Sequence, residues 1–134
     1  MQKNYDVIIV GAGPAGIMTS YELYLKNPEL KVLLIDKGHD VMYRHCPIKD
    51  KKIKSCPQIK EHEPGCLPAC SITSGFGGAG AYSDGKFNIT SEFGGWLTDY
   101  LDNQEVENVI HYVDELYLKH GATHDITDPT TDKI

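Results

Sequence analysis

The sequence predicts an α/β chain that opens with a β-α-β unit and a parallel pair of strands. Three observations carry this: two short β-branched runs, a glycine-rich turn after the first, and a helical repeat of apolar residues between them. Tyr5-Asp6-Val7-Ile8-Ile9-Val10 ends at a glycine and suits a buried parallel strand. Gly11-Ala12-Gly13-Pro14-Ala15-Gly16 follows it, and then Ile17, Met18, Tyr21, Tyr24 and Leu25 recur at helical spacing. Pro14 falls in the first helical turn, where a missing N–H costs nothing. Asn27-Pro28 should end that helix. Lys31-Val32-Leu33-Leu34-Ile35-Asp36 reads as the second buried strand, joined to the first by a right-handed crossover.

Regular periodicity then stops. Residues 38–71 hold Pro47, Pro57, Pro64 and Pro68 and all four cysteines. Six of the thirteen basic residues lie there too: Arg44, Lys49, Lys51, Lys52, Lys54 and Lys60. This is a long excursion, and long irregular loops are usually functional or mobile. Residues 75–85 contain five glycines in eleven positions and cannot form one continuous helix or strand. From Phe93 the pattern predicts two helices. The first carries Trp96, Leu97, Tyr100 and Leu101. The second carries Val106, Val109, Ile110, Val113, Leu116 and Tyr117. Asp102 with Glu105 forms a capping-box start, and Gly121 a stop. Trp96 and the late tyrosines are expected to pack, with His111 and His120 on the helix surface. Residues 124–134 read as a turn-rich tail.

Composition sets the outer bounds. The chain has 134 residues, 13 basic and 19 acidic, with a net charge of −6. Hydrophobic content of 40% and charged content of 24% are ordinary for a soluble globular protein. The acidic balance argues against a general nucleic-acid binder. Between Glu92 and Ile134 ten acidic side chains face two basic ones, which fits a solvated helix face. No apolar run suits a membrane span, and no signal peptide is present, so a cytoplasmic location is expected. Cysteines in that compartment are thiols or metal ligands rather than disulfides.

The spacing Gly11-x-Gly13-x-x-Gly16 gains meaning from its strand-turn-helix context and from Asp36, twenty positions after Gly16. Gly11 permits a tight turn. Gly13 lets backbone approach a pyrophosphate, and Gly16 lets the helix pack close to the sheet. Free N–H groups and the helix dipole then face the anion. Asp36 can accept hydrogen bonds from adenosine ribose hydroxyls and would repel a 2′-phosphate. FAD and NAD share this fingerprint. The fold class is therefore an incomplete Rossmann-like FAD/NAD(P)-binding domain, with a β-α-β start, a long cysteine-containing loop, a glycine-rich loop and two C-terminal helices.

The second glycine segment is Gly77-Gly78-Ala79-Gly80-Ala81-Tyr82-Ser83-Asp84-Gly85-Lys86. Small residues let backbone lie flat on a planar or anionic ligand. Together with Gly11–Gly16 and Asp36, this block resembles the bacterial FAD-dependent dehydrogenase family, whose nucleotide domain is similar to that of glutathione reductase-like flavoproteins. The resemblance implies FAD as cofactor, with contacts to its adenine half from Gly11, Gly13, Ala15, Gly16 and Asp36. It also implies that residues 77–86 approach the flavin half. The cofactor-binding candidates are Gly11, Ala12, Gly13, Pro14, Ala15, Gly16, Asp36, Lys37, Gly77, Gly78, Ala79, Gly80 and Ser83. Asp84 and Lys86 are candidates for polarising flavin or substrate. NAD(P)H is an expected electron partner, with a small-molecule substrate and no nucleic acid or membrane.

Members of that family are several times longer. The chain is thus expected to be the N-terminal part of an FAD-binding domain lacking its substrate domain and inactive alone. Its apolar faces should await a missing domain or a second copy. Other readings remain open. The chain could be a non-catalytic NAD or adenine-nucleotide module. Cys46, Cys56, Cys66 and Cys70, with His39, His45 and His62 nearby, could hold zinc or an iron–sulfur cluster. They could also be plain thiols, or Cys66 and Cys70 could form a redox pair.

Overall fold

A computed structural model describes residues 4–57, 66–83, 85–93 and 95–125. The chain divides into two units, residues 1–85 and 86–134. The first unit holds β1 (Val7–Val10), α1 (Pro14–Lys26) and β2 (Val32–Ile35). β1 and β2 pair in parallel, with Val7 opposite Val32 and Val10 opposite Ile35. Pro14 opens α1, and the extended Asn27 before Pro28 ends it. The β-α-β start is therefore as the sequence predicts, with each strand trimmed by a residue or two and the helix ending at Asn27-Pro28 as expected.

The expected burial of the strands is corrected. Period-two alternation puts Ile9 and Leu34 on the α1 face, where Leu34 approaches Gly16. Ile8, Val10, Leu33 and Ile35 point the other way. Ile8 is 59% and Val10 81% exposed, and Ile35 is exposed as well. One helix on a two-stranded sheet covers one face only, so an apolar run alone does not bury a strand.

The interior of this unit lies instead at the glycine-rich junction. Among the described residues of this unit, Ala12, Arg44, Ser71, Gly75 and Gly78 are the buried positions, and four of these five have almost no side chain to offer a hydrophobic core. The excursion of residues 38–71 is irregular where it is described. It holds one 3-10 turn, Val41–Tyr43, started by the Asp40 carboxylate accepting from the Met42 amide at 3.1 Å. Lys60, His62 and Pro64 lie outside the described residues.

The second unit is built on α2 (Asn103–Lys119). Its capping box is complete. The Asp102 carboxylate accepts from the Glu105 amide at 2.8 Å, and the Glu105 carboxylate accepts from the Asp102 amide at 3.0 Å. Val106 is buried, and Phe87 meets Tyr117 edge-on at 5.4 Å. Gly121 stops the helix at a φ of +99°. His111 and His120 are exposed, as expected. The first of the two predicted C-terminal helices is not formed. Two 3-10 turns, Ser91–Phe93 and Leu97–Asp99, stand there, separated by Gly95 at a φ of +92°. Trp96 and Tyr100 are 79% and 83% exposed, so the expected packing role fails for both. Too few residues separate the left-handed Gly95 from the Asp102 cap for a stable α-helix.

Candidate functional site

The turn after β1 is made by its glycines, and each acts differently. The Gly11 amide donates to the Ile35 carbonyl at 2.7 Å, carrying the ladder one step past the strand, and its φ of +105° then bends the chain. A Cβ on Gly16 would lie 1.9 Å from the Gly11 carbonyl oxygen and 3.3 Å from Leu34 Cδ1. Helix and turn touch there through backbone, and the sheet reaches the same point through the Leu34 side chain. A Cβ on Gly13 would meet nothing within 4 Å. It would project into open space at the start of α1. Gly13 is also the N-cap, with no side-chain cap bond, and the first turn holds no acidic residue. The first-turn amides of Ala15 and Gly16 have no acceptor within the helix itself. A helix start with unpaired first-turn amides and open space beside them is a place where an anion can be held.

Asp36 is tied more closely to the chain than its spacing suggests. Its Oδ2 accepts from the Ala12 amide at 2.8 Å, and its Oδ1 accepts from the Gly38 and Gly75 amides, each at 2.8 Å. The Gly38 and Ala12 amides hold its carboxyl below the ordinary value of 3.8. Partial burial opposes them, while the Gly75 amide and the Lys37 charge add to the lowering. A carboxylate has about four acceptor positions, so about one, on Oδ2, is left over. Asp36 is thus a structural hub as well as the acidic residue of the fingerprint.

The second glycine segment lies on the first. The Gly77 amide donates to the Ala12 carbonyl at 2.9 Å, and a Cβ on Gly78 would sit 3.1 Å from Gly13 Cα and 3.3 Å from Pro14 Cδ. Gly77 and Gly78 have φ of +88° and +57°, and a 3-10 turn runs over Gly78–Tyr82. Ala79 and Gly80 are exposed on that turn. The Ser83 hydroxyl accepts from the Gly85 amide at 2.8 Å. Of the two polar candidates that follow, Asp84 lies outside the described residues, and Lys86 belongs to the second unit.

Sequence reasoning missed Arg44. It is 4% exposed, and its Nε, Nη1 and Nη2 donate to the carbonyls of Ser71 (2.8 Å), Phe76 (2.8 Å) and Ile72 (3.0 Å). The Tyr82 hydroxyl donates to the Arg44 carbonyl. Its ring lies 5.0 Å from the guanidinium and 4.5 Å from Lys49 Nζ. The signal was there: Arg44 is the only arginine among twelve lysines. Arginine and lysine are not interchangeable where planar, forked donation is needed.

Cys46, Cys56, Cys66 and Cys70 are free thiols. Among the described residues no three His, Cys, Asp or Glu side chains gather to hold a metal ion. The Cys70 thiol is exposed. The Ile72 and Thr73 amides and the Thr73 hydroxyl lower its pKa, with Arg44 adding to the effect.

The model of the pyridine nucleotide-disulphide oxidoreductase family matches residues 5–131. The chain belongs to that family. This agrees with the flavoprotein resemblance carried by the two glycine segments, and with a Rossmann-like fold. Curated relatives share shorter stretches with this oxidoreductase-family chain. The uncharacterized oxidoreductase CzcO of Bacillus subtilis is 49% identical over 37 residues, 28% of this chain and 10% of its own length. The mitochondrial L-2-hydroxyglutarate dehydrogenase of Dictyostelium discoideum is 34% identical over 71 residues, 53% of this chain and 15% of its own. The digeranylgeranylglycerophospholipid reductase of Methanococcus vannielii is 49% identical over 41 residues, 31% of this chain and 10% of its own. The chain therefore matches a small part of each relative's length. No solved structure gives a significant match. No helix among the described residues is long and apolar enough to cross a membrane.

Proposed function

We propose that the chain is the FAD-binding segment of a flavin-dependent dehydrogenase. The observation that carries this reading is the open space over Gly13 at an uncapped helix start, beside the acidic residue that follows β2, Asp36. A pyrophosphate would accept from the first-turn amides, with Gly13 giving it room. The remaining acceptor position on Asp36 Oδ2 would take a ribose hydroxyl. The Asp36 charge disfavours a 2′-phosphate at this turn. Gly77, Gly78, Ala79, Gly80 and Ser83 would continue the cradle toward the flavin. Bound FAD would supply two-electron transfer, and the protein would bind and orient it.

The relatives' names support a cofactor role for the shared segment. One is called a dehydrogenase and another a reductase, and the substrates named are a hydroxy acid and a lipid. A segment shared by proteins with such different substrates fits the cofactor's seat better than the substrate's. NAD(P)H is the electron partner we expect, and a cytoplasmic setting would keep the four cysteines reduced. An absorption spectrum of the freshly purified protein, with analysis of released nucleotide and of metal, tests the reading. A two-band flavin spectrum with stoichiometric FAD is expected. A colourless protein that releases NAD would replace it with a nucleotide-binding module, and stoichiometric zinc or iron with a metal module.

A further inference from the structure

A buried guanidinium is costly unless its donors are used. Among the described residues Arg44 forms no ion pair, so three backbone carbonyls and the face of Tyr82 meet its charge. What this charge fixes is the path of one segment. The carbonyls it holds belong to Ser71, Ile72 and Phe76, and Tyr82 closes the far end on the Arg44 carbonyl. A Cβ on Gly75 would lie 2.9 Å from Arg44 Cδ, so the side chain also packs on Gly75 itself. The stretch pinned in this way is the one that meets the phosphate-binding turn. Gly75 donates to Asp36, Gly77 donates to the Ala12 carbonyl, and Gly78 rests on Gly13.

We propose that Arg44 is a positioning residue of the dinucleotide site. It holds residues 71–82 so that Gly75, Gly77 and Gly78 lie against the turn after β1, and so sets the shape of the cradle without touching the ligand. The proposal rests on reading that turn as a dinucleotide site. Lysine cannot substitute, because a single ammonium has no planar fork for three divergent carbonyls.

The test combines FAD titration with amide hydrogen exchange on the whole chain, comparing wild type with Arg44→Met and Arg44→Lys. In both variants the Gly75 and Gly77 amides should exchange about tenfold faster or more, while α1 amides keep wild-type protection. FAD affinity should fall about tenfold in Arg44→Met, and Arg44→Lys should not restore it. Wild-type exchange at Gly75 and Gly77, or wild-type FAD affinity in Arg44→Met, overturns the proposal. Exchange that rises throughout α1 in both variants also overturns it, since Arg44 would then be a general folding residue. If the wild-type protein takes up no FAD, the dinucleotide reading falls. Exchange at Gly75 and Gly77 then decides by itself whether Arg44 holds the segment.

Discussion

Gly13 and Gly16, three residues apart on one turn, can be separated by experiment, because Gly16 is needed for packing and Gly13 for room. Gly16→Ala forces a Cβ to within 1.9 Å of the Gly11 carbonyl oxygen, and neither backbone can yield without opening the helix from the sheet. It should cost about 3 kcal/mol or more in chemical denaturation. Gly13→Val places its side chain in open space at an ordinary φ of −77°. It should cost under about 1 kcal/mol as an N-cap change yet abolish FAD uptake in a titration. Equal stability losses in the two variants would contradict the division of roles. Asp36 makes a third residue-scale prediction. Asp36→Asn keeps one carbonyl oxygen for three amides and should cost about 1–3 kcal/mol near neutral pH. The native carboxyl sits below its ordinary value of 3.8, so its stabilisation is fully present above that pH. It is lost as pH falls from there through the lower folded value. A denaturation series across that range should show the gap between wild type and Asp36→Asn closing on acidification.

At the scale of elements, α2 rests on its start. Asp102→Ala removes the acceptor for the Glu105 amide and breaks the reciprocal bond. It should lower stability by about 1 kcal/mol with loss of helical signal in circular dichroism. That cap was legible in the sequence, as were β1, α1 and β2, because each is announced locally: a β-branched run, a proline at a helix start, an acid three residues before another. The short helix before α2 was misread for an equally local reason. Apolar spacing over Trp96, Leu97, Tyr100 and Leu101 suits a helix, but Gly95 and the Asp102 cap leave it no length. The candidate site was legible only where it is contiguous. The turn of Gly11, Gly13 and Gly16 could be read directly. The three amides that converge on Asp36 from positions 12, 38 and 75 could not, since no periodicity links them. Arg44 was hidden in the same way, among lysines whose charge explained it away.

Among the described residues both units leave large apolar side chains open to solvent. Ile8, Val10 and Ile35 form an exposed strip on one sheet face, and Trp96 and Tyr100 are open in the other unit. Contiguous apolar patches of this kind mark contacts. The 134-residue chain should therefore self-associate with rising concentration in sedimentation velocity, and Val10→Lys should weaken that association. A monomer at every concentration tested would show that the strip needs no cover. The unit that bears this strip also has an unusual closure. The ends of the long excursion are fastened where it leaves β2: Gly38 and Gly75 share Asp36, Phe76 donates to His39 at 3.0 Å, and a Cβ on Gly38 would strike the Gly75 amide at 2.5 Å. Loop-closure entropy grows only with the logarithm of length, about 0.6 kcal/mol for each doubling. The excursion is thus a ready graft point. A peptide tag spliced between Ile53 and Lys54 would leave the knot at its base intact, so foreign sequence could be carried there without redesigning the turn after β1.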